Sequence, residues 1–127
     1  MKYDPLVAPD PKEWLGTDEA ERIHLVLDYH RRMGIELPNE HLHAAIHTVV
    51  ENQAALGDET PVEQALRRLV GEGLDRHEAI HAVGSVLVEH IWELMGGGDW
   101  GGGDFSAAYF EAVRRLTARG WIERYGD

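Results

Sequence analysis

Apolar residues recur every three or four positions along most of the chain, which is the spacing of helices that bury one side. The pattern runs through five segments, at 18–33, 40–56, 62–70, 75–95 and 105–119. Helix-capping residue types mark the starts of the first four segments: Thr17 or Asp18, Asn39, Thr60 and Asp75. No stretch alternates apolar and polar residues as a half-buried strand does. The chain is therefore predicted to be all-α, a four-helix bundle-like domain with an additional C-terminal helix.

Two segments have compositions that disfavour a helix. Residues 1–16 contain Pro5, Pro9 and Pro11, which predict an extended N-terminal arm. Residues 96–104 contain six glycines and predict a flexible Gly-rich loop. A length of 127 residues suits one hydrophobic core, so residues 1–127 are predicted to form a single helical domain.

The charge of the chain narrows the range of partners. Asp and Glu number 23 against 12 Lys and Arg, a formal net charge of −11. Nucleic acid and anionic membrane surfaces are bound through basic patches, so neither is expected as a partner. The absence of cysteine excludes disulfides, iron–sulfur clusters and thiolate metal sites. The first residues lack the apolar core of a signal peptide, so a cytoplasmic location is expected.

Two groups of histidines have helical spacing. His43, His47 and Glu51 are four residues apart, and so are His77 and His81. Residues four apart in a helix lie one turn above each other on the same side. Imidazole and carboxylate groups are common ligands of zinc and iron. Because four of the eight histidines fall in these two pairs, the sequence predicts a metal site.

The order of the predicted helices brings the two pairs together. Short connections favour antiparallel neighbours, so the second and fourth helices run roughly parallel, each with its pair near its start. The end of the first helix returns to the same height and adds His30. We expect the four paired histidines to share one zinc or iron ion, with Glu51 and His30 as further ligands or supporting groups. Glu51 lies one turn deeper, so a second ion is an open alternative.

Two other functions fit parts of the sequence. His77-Glu78-x-x-His81 matches the short motif of zinc peptidases, in which Glu78 would activate a zinc-bound water. Against this, Leu87 stands where the extended motif needs a third histidine, and no substrate-binding strand is predicted. The second alternative is a metal-free interaction module whose acidic faces contact another protein. Several helices also carry more apolar residues than one small core can bury, so a homodimer is expected.

The run from residue 39 to residue 92 resembles a bacterial family known as domain of unknown function 1841. The resemblance rests on the His-x-x-x-His-x-x-x-Glu-x-Gln pattern that ends at Gln53, on Pro61, on the run from Arg76 to His81, and on Trp92. It implies a small helical protein with no assigned activity. It therefore supports the group of histidines without naming a reaction.

Overall fold

Seven α-helices follow one another in the computed structural model, which describes residues 2–35, 39–95 and 105–125. They are α1 (Pro11–Gly16), α2 (Glu19–Arg32), α3 (Glu40–Ala55), α4 (Val62–Gly71), α5 (Arg76–Met95), α6 (Phe105–Arg115) and α7 (Ala118–Tyr125). A single 3₁₀ turn, Gly57–Glu59, precedes α4. Those three ranges contain no strand, so the prediction of an all-α, bundle-like fold is confirmed. The predicted Gly-rich loop at 96–104 lies outside the described residues.

The third and fifth helices form the centre of the fold. α3 packs against α1, α2, α4 and α5, and α5 also packs against α4, α6 and α7. Apolar side chains of α3 to α6 form the larger core, around Leu66, Leu69 and Val83. A smaller core around Trp14 and Val26 joins the N-terminal segment to α2 and α3. None of the helices in the described ranges is long and apolar enough to cross a membrane.

An extended arm was predicted over residues 1–16. This prediction is wrong for residues 11–16, which form α1. Pro11 lies in the first turn of α1, where its missing N–H costs nothing, and the Asp10 side chain accepts a hydrogen bond from the Glu13 N–H. The Trp14 indole is fully buried and donates to Asn52 on α3 at 2.9 Å. Residues 11–16 thus form a short helix fixed to α3.

The predicted fifth helix over 105–119 is divided in two. Arg68 on α4 donates to the carbonyl oxygens of Val113 and Leu116 at the end of α6, where backbone carbonyls lack the partners of a continuing helix. The Thr117 hydroxyl then accepts a hydrogen bond from the Gly120 N–H and begins α7. Side chains at both ends of the break therefore satisfy the backbone groups that a continuous helix would have paired.

The buried side of α3 includes polar side chains. Leu42 is 56% exposed, whereas His47 and Glu51 are 2% and 1% exposed. The histidine stripe is therefore part of the buried surface of α3. Burial of these polar groups requires hydrogen-bonding partners, and the structure supplies them from distant parts of the chain.

Glycine at position 84 permits a close approach of α3 and α5. A Cβ atom at Gly84 would lie 3.3 Å from the Ile46 Cγ2 atom, tighter than an ordinary van der Waals contact. This approach lies one turn beyond His81 on α5 and one residue before His47 on α3. It helps to bring the two histidine-bearing faces together.

Large apolar side chains remain exposed along the end of α5. Trp92 is 75% exposed and Met95 is 80% exposed. The predicted homodimer stays a prediction.

Candidate metal centre

Five histidine rings meet where α2, α3 and α5 come together. His30 comes from α2, His43 and His47 from α3, and His77 and His81 from α5. The ring centroids of His77 and His81 are 4.3 Å apart, and those of His43 lie 4.9 Å from both His30 and His81. The predicted convergence of the two pairs with His30 is confirmed.

Four of these rings form a tighter group. One ring nitrogen from each of His30, His47, His77 and His81 lies within 4.8 Å of the nitrogens of the other three. In a tetrahedral zinc site with Zn–N distances of about 2.0–2.1 Å, ligand nitrogens are about 3.3 Å apart. Shifts of about 1 Å in each ring therefore suffice to close the group around an ion. The prediction placed His43 in the central set and His30 beside it, whereas this group of four contains His30 and not His43.

Each of the five rings has a buried nitrogen without a hydrogen-bond partner among the described residues. These atoms are Nε2 of His30, His43, His77 and His81, and Nδ1 of His47. A buried polar atom without a partner costs free energy, because it has lost water and gained nothing. Five such atoms in one place are unusual for a protein interior, in which most buried polar groups are paired. Metal coordination is a way to satisfy them.

The hydrogen bond of His30 fixes which of its nitrogens is free. Nδ1 lies 2.8 Å from the Val26 carbonyl oxygen, which can only accept. Nδ1 therefore carries a proton, and Nε2, which has no hydrogen-bond partner, would present a lone pair to a metal ion.

A chain of hydrogen bonds fixes the tautomer of His47 in the same way. Its Nε2 atom lies 2.7 Å from the Tyr3 hydroxyl oxygen, and that hydroxyl donates to the Glu51 carboxylate. The single hydroxyl proton points to Glu51, so His47 Nε2 must donate to the tyrosine oxygen. The Nδ1 atom of His47 is left with its lone pair in the cluster.

Glu51 lies behind the histidines, outside the group of four. Arg76 donates to both of its carboxylate oxygens, at 2.8 and 2.7 Å. The same guanidinium donates to the Pro5 carbonyl oxygen at 2.9 Å and so holds the N-terminal segment against the site. Burial and then the nearby Glu51 charge raise the pKa of Tyr3 far above its usual range, which keeps the phenol protonated. Glu51 thus supports His47 through Tyr3, one of the two roles that the sequence suggested.

Burial keeps the rings uncharged. Burial is the main cause that lowers the pKa of His43 to about 4 and the pKa of His81 to about 3. The neighbouring histidines are the second cause. The same two causes hold the pKa of His47 well below its usual value, and the pKa of His77 is also lowered. These four rings are neutral near pH 7, the form that binds metal.

Glu78 has a different position from the one that a zinc peptidase needs. Its carboxylate accepts from the Asp75 N–H at 3.0 Å, and the Asp75 carboxylate accepts from the Glu78 N–H at 2.8 Å. This reciprocal pair is a capping box at the start of α5. Glu78 is exposed there, so its position does not favour the peptidase alternative.

A groove of about 600 Å³ adjoins the cluster between α3 and α5. Its lining includes the rings of His43, His47 and His81, together with apolar residues of α3, α5 and α7. The cluster therefore has two buried and three half-buried rings, and it borders a space large enough for a small molecule.

Two residues of the site, Tyr3 and Arg76, were not predicted from the sequence. Tyr3 lies in the irregular N-terminal segment, where no periodicity indicates its direction. Arg76 directly precedes His77, and its charge is the one available signal, because a buried Glu51 needs a cationic partner.

The fold and the site define a class of protein: a helical bundle whose central helices enclose a cluster of histidine rings. The family model of a domain of unknown function (DUF1841) matches residues 11–115. That match covers most of the chain, so the protein belongs to this family, as the resemblance predicted. Neither a comparison with curated proteins nor one with solved structures gave a match. The function must therefore be argued from the site.

Proposed function

We propose that this protein binds one divalent transition-metal ion, zinc or iron, through His30, His47, His77 and His81. One observation carries the proposal. Four ring nitrogens from three helices lie within 4.8 Å of one another, and each of these rings has a buried nitrogen that lacks a hydrogen-bond partner. In two of the rings, His30 and His47, a hydrogen bond on the opposite nitrogen leaves the lone pair inside the cluster.

The donor set limits the choice of metal. Imidazole nitrogen binds zinc, iron, copper and nickel well, whereas magnesium and calcium prefer oxygen. Burial lowers the pKa of His47, His77 and His81, so these rings need not lose protons before they bind an ion. Zinc would supply Lewis acidity, and iron would add redox chemistry.

The other polar groups of the site have supporting roles in this proposal. Tyr3, Glu51 and Arg76 orient His47 and raise its basicity, as carboxylates behind metal-bound histidines commonly do. His43 stands beside the four ligands and faces the groove. A dinuclear centre would need His43 and further donors around a second ion, and the structure favours the mononuclear alternative because Glu51 is fully engaged elsewhere.

The test is a measurement of bound metal in purified, untagged protein by mass spectrometry after dialysis. We expect close to one ion per chain in the wild type and a loss of stoichiometric binding in His30→Ala, His47→Ala and His81→Ala. Each helix also offers a matched control outside the cluster: His24→Ala on α2, His41→Ala on α3 and His90→Ala on α5.

The three controls should retain the ion. Circular dichroism of each variant separates loss of the ligand from loss of the fold. Full occupancy in the three cluster variants, or wild-type protein that takes up neither zinc nor iron when either is supplied, would disprove the proposal.

A further inference from the structure

We infer that the groove beside the cluster binds a small organic carboxylate with an apolar body, its charged end towards the histidines. This inference rests on the proposed metal site and names the class of ligand that the site would receive. It is carried by three features of the groove: its size, its lining and the charge at its inner end.

The size and the walls suit a small apolar body. A volume of about 600 Å³ lies within the usual range for small-molecule pockets, about 300–1,000 Å³. Its walls are mainly apolar and come from Leu42, Ile46, Ile80, Val88 and Trp121. Leu42 and Val88 are 56% and 46% exposed, so an apolar ligand would cover surface that the fold itself leaves in contact with water.

One wall of the groove is held in place by polar contacts. The Ser85 hydroxyl donates to the His81 carbonyl oxygen at 2.8 Å and accepts from the Trp121 indole N–H at 3.4 Å. This places the Trp121 ring of α7 over α5. The wall is therefore built as part of the fold before any ligand arrives.

The charge at the inner end of the groove favours a ligand with an anionic group at that end. Four neutral imidazoles contribute no negative charge, so a divalent ion held by them keeps both of its positive charges. Glu51, the nearest buried carboxylate, is neutralised by Arg76. At the rim of the groove, Glu89 is paired with Arg124 at 2.8 Å. The net negative charge of the chain is largely screened beyond about 8 Å at physiological salt. The inner end is thus locally positive, and a carboxylate complements it.

The experiment uses the full chain loaded with cobalt(II), whose visible absorption reports changes in the ligands of the ion. Octanoate is titrated into the loaded protein and followed by calorimetry and by the cobalt spectrum. Two probes separate the contribution of the carboxylate charge from that of the apolar chain. 1-Octanol has the apolar chain without the charge, and acetate has the charge without the chain. We expect octanoate to bind about tenfold or more tightly than either, with a spectral change.

Substitutions at the wall test the location. Val88→Glu places a negative charge inside the groove and should weaken octanoate binding about tenfold, and Val88→Gln should weaken it less. Val70→Glu is the matched control, because Val70 is a similarly exposed valine on α4 that does not line the groove. All three variants should retain cobalt.

The outcomes distinguish the two proposals. If the wild type retains cobalt but octanoate binds no better than 1-octanol, or if Val88→Glu behaves as Val70→Glu does, the carboxylate inference is wrong and the metal site stands. If the wild type does not retain cobalt, zinc or iron, the metal site is wrong and the inference fails with it.

Discussion

Tyr3 and His47 are joined by a hydrogen bond of 2.7 Å between the phenol oxygen and Nε2, although 44 residues separate them in the chain. The contact makes the N-terminal segment part of the histidine cluster. It also determines the state of His47, because the hydroxyl proton is already committed to Glu51. A residue outside every helix thus selects the nitrogen that a metal would use.

Replacement of Tyr3 by Phe should therefore affect both stability and metal binding. The variant keeps the ring and leaves His47 Nε2 and one Glu51 oxygen without this partner, which should lower the free energy of unfolding by about 1–3 kcal/mol. Loss of the orienting contact should weaken metal binding about tenfold or more. Urea unfolding of the chelated protein and a competition titration with a chromophoric chelator measure the two effects.

Tyr29→Phe is the control for this substitution. The Tyr29 ring also contacts His30 and His77, and the variant preserves that ring. It should change metal affinity little. Equal effects of the two substitutions would show that the Tyr3 hydroxyl does not orient His47.

The pair of Glu51 and Arg76 is a buried ion pair, and its two members should be strongly coupled. Removal of Arg76 alone, as Arg76→Met, leaves a buried carboxylate without its cation and should cost about 3–5 kcal/mol of stability. The double variant Glu51→Gln, Arg76→Met removes both charges and should be more stable than Arg76→Met alone. A double-mutant cycle by urea unfolding checks this.

Arg67→Met serves as the comparison, since its ion pair with Glu63 lies on the surface of α4 and should contribute little. Additive effects of the Glu51 and Arg76 substitutions would contradict the coupling that the structure shows.

Stability should fall in acid even when no metal is bound. The folded protein holds the pKa of His81 at about 3 and of His43 at about 4, whereas unfolded histidine titrates near about 6.5. Between these values the unfolded chain binds more protons than the folded one, so the stability present above about pH 6.5 is lost as pH falls. Each ring should contribute a slope of up to about 1.4 kcal/mol per pH unit.

Urea unfolding at a series of pH values, with and without chelator, measures this dependence. The loaded protein should lose stability more steeply, because protons also displace the ion. His81→Phe should reduce the slope of the chelated protein, since one titrating ring is gone. A flat profile between pH 6.5 and 4 after chelation would mean that the rings are not buried as a neutral cluster.

Glu78→Ala should separate a capping role from a catalytic one. It removes half of the capping box at the start of α5 and should lower stability by about 1 kcal/mol. Metal stoichiometry should remain that of the wild type, because the carboxylate lies on the surface outside the four-histidine group. Thermal unfolding and metal analysis of the same sample give both values, and a loss of the ion would place Glu78 in the metal site.

The helices were predictable where local signals agree. Asp18, Asn39 and Asp75 accept backbone hydrogen bonds at the starts of α2, α3 and α5, as their residue types indicated. The sequence does not predict the short helix α1, because closely spaced prolines favour an extended chain. The combination of Asp10, Pro11 and Glu13 is nevertheless a helix start. The break between α6 and α7 depends on contacts with α4, which no local pattern reveals.

The spacing of the histidines in the site was predictable from the sequence, but their hydrogen-bonding partners were not. Helical spacing and short connections suffice to bring the histidine pairs together with His30. A hydrophobic pattern assigns no burial to polar residues, so it does not predict that His47 and Glu51 are buried. Their burial depends on Tyr3 and Arg76, and such pairing between distant segments is determined by the tertiary structure.

The distribution of the four proposed ligands over α2, α3 and α5 has a consequence for local unfolding. No single helix, and no pair of neighbours in sequence, carries the whole set. An ion bound there acts as a removable cross-link between the three helices and stabilises the folded chain, because the site does not exist in the unfolded one. Amide hydrogens of these three helices should then exchange with solvent as one cooperative unit in the loaded protein, and each helix should open separately after chelation.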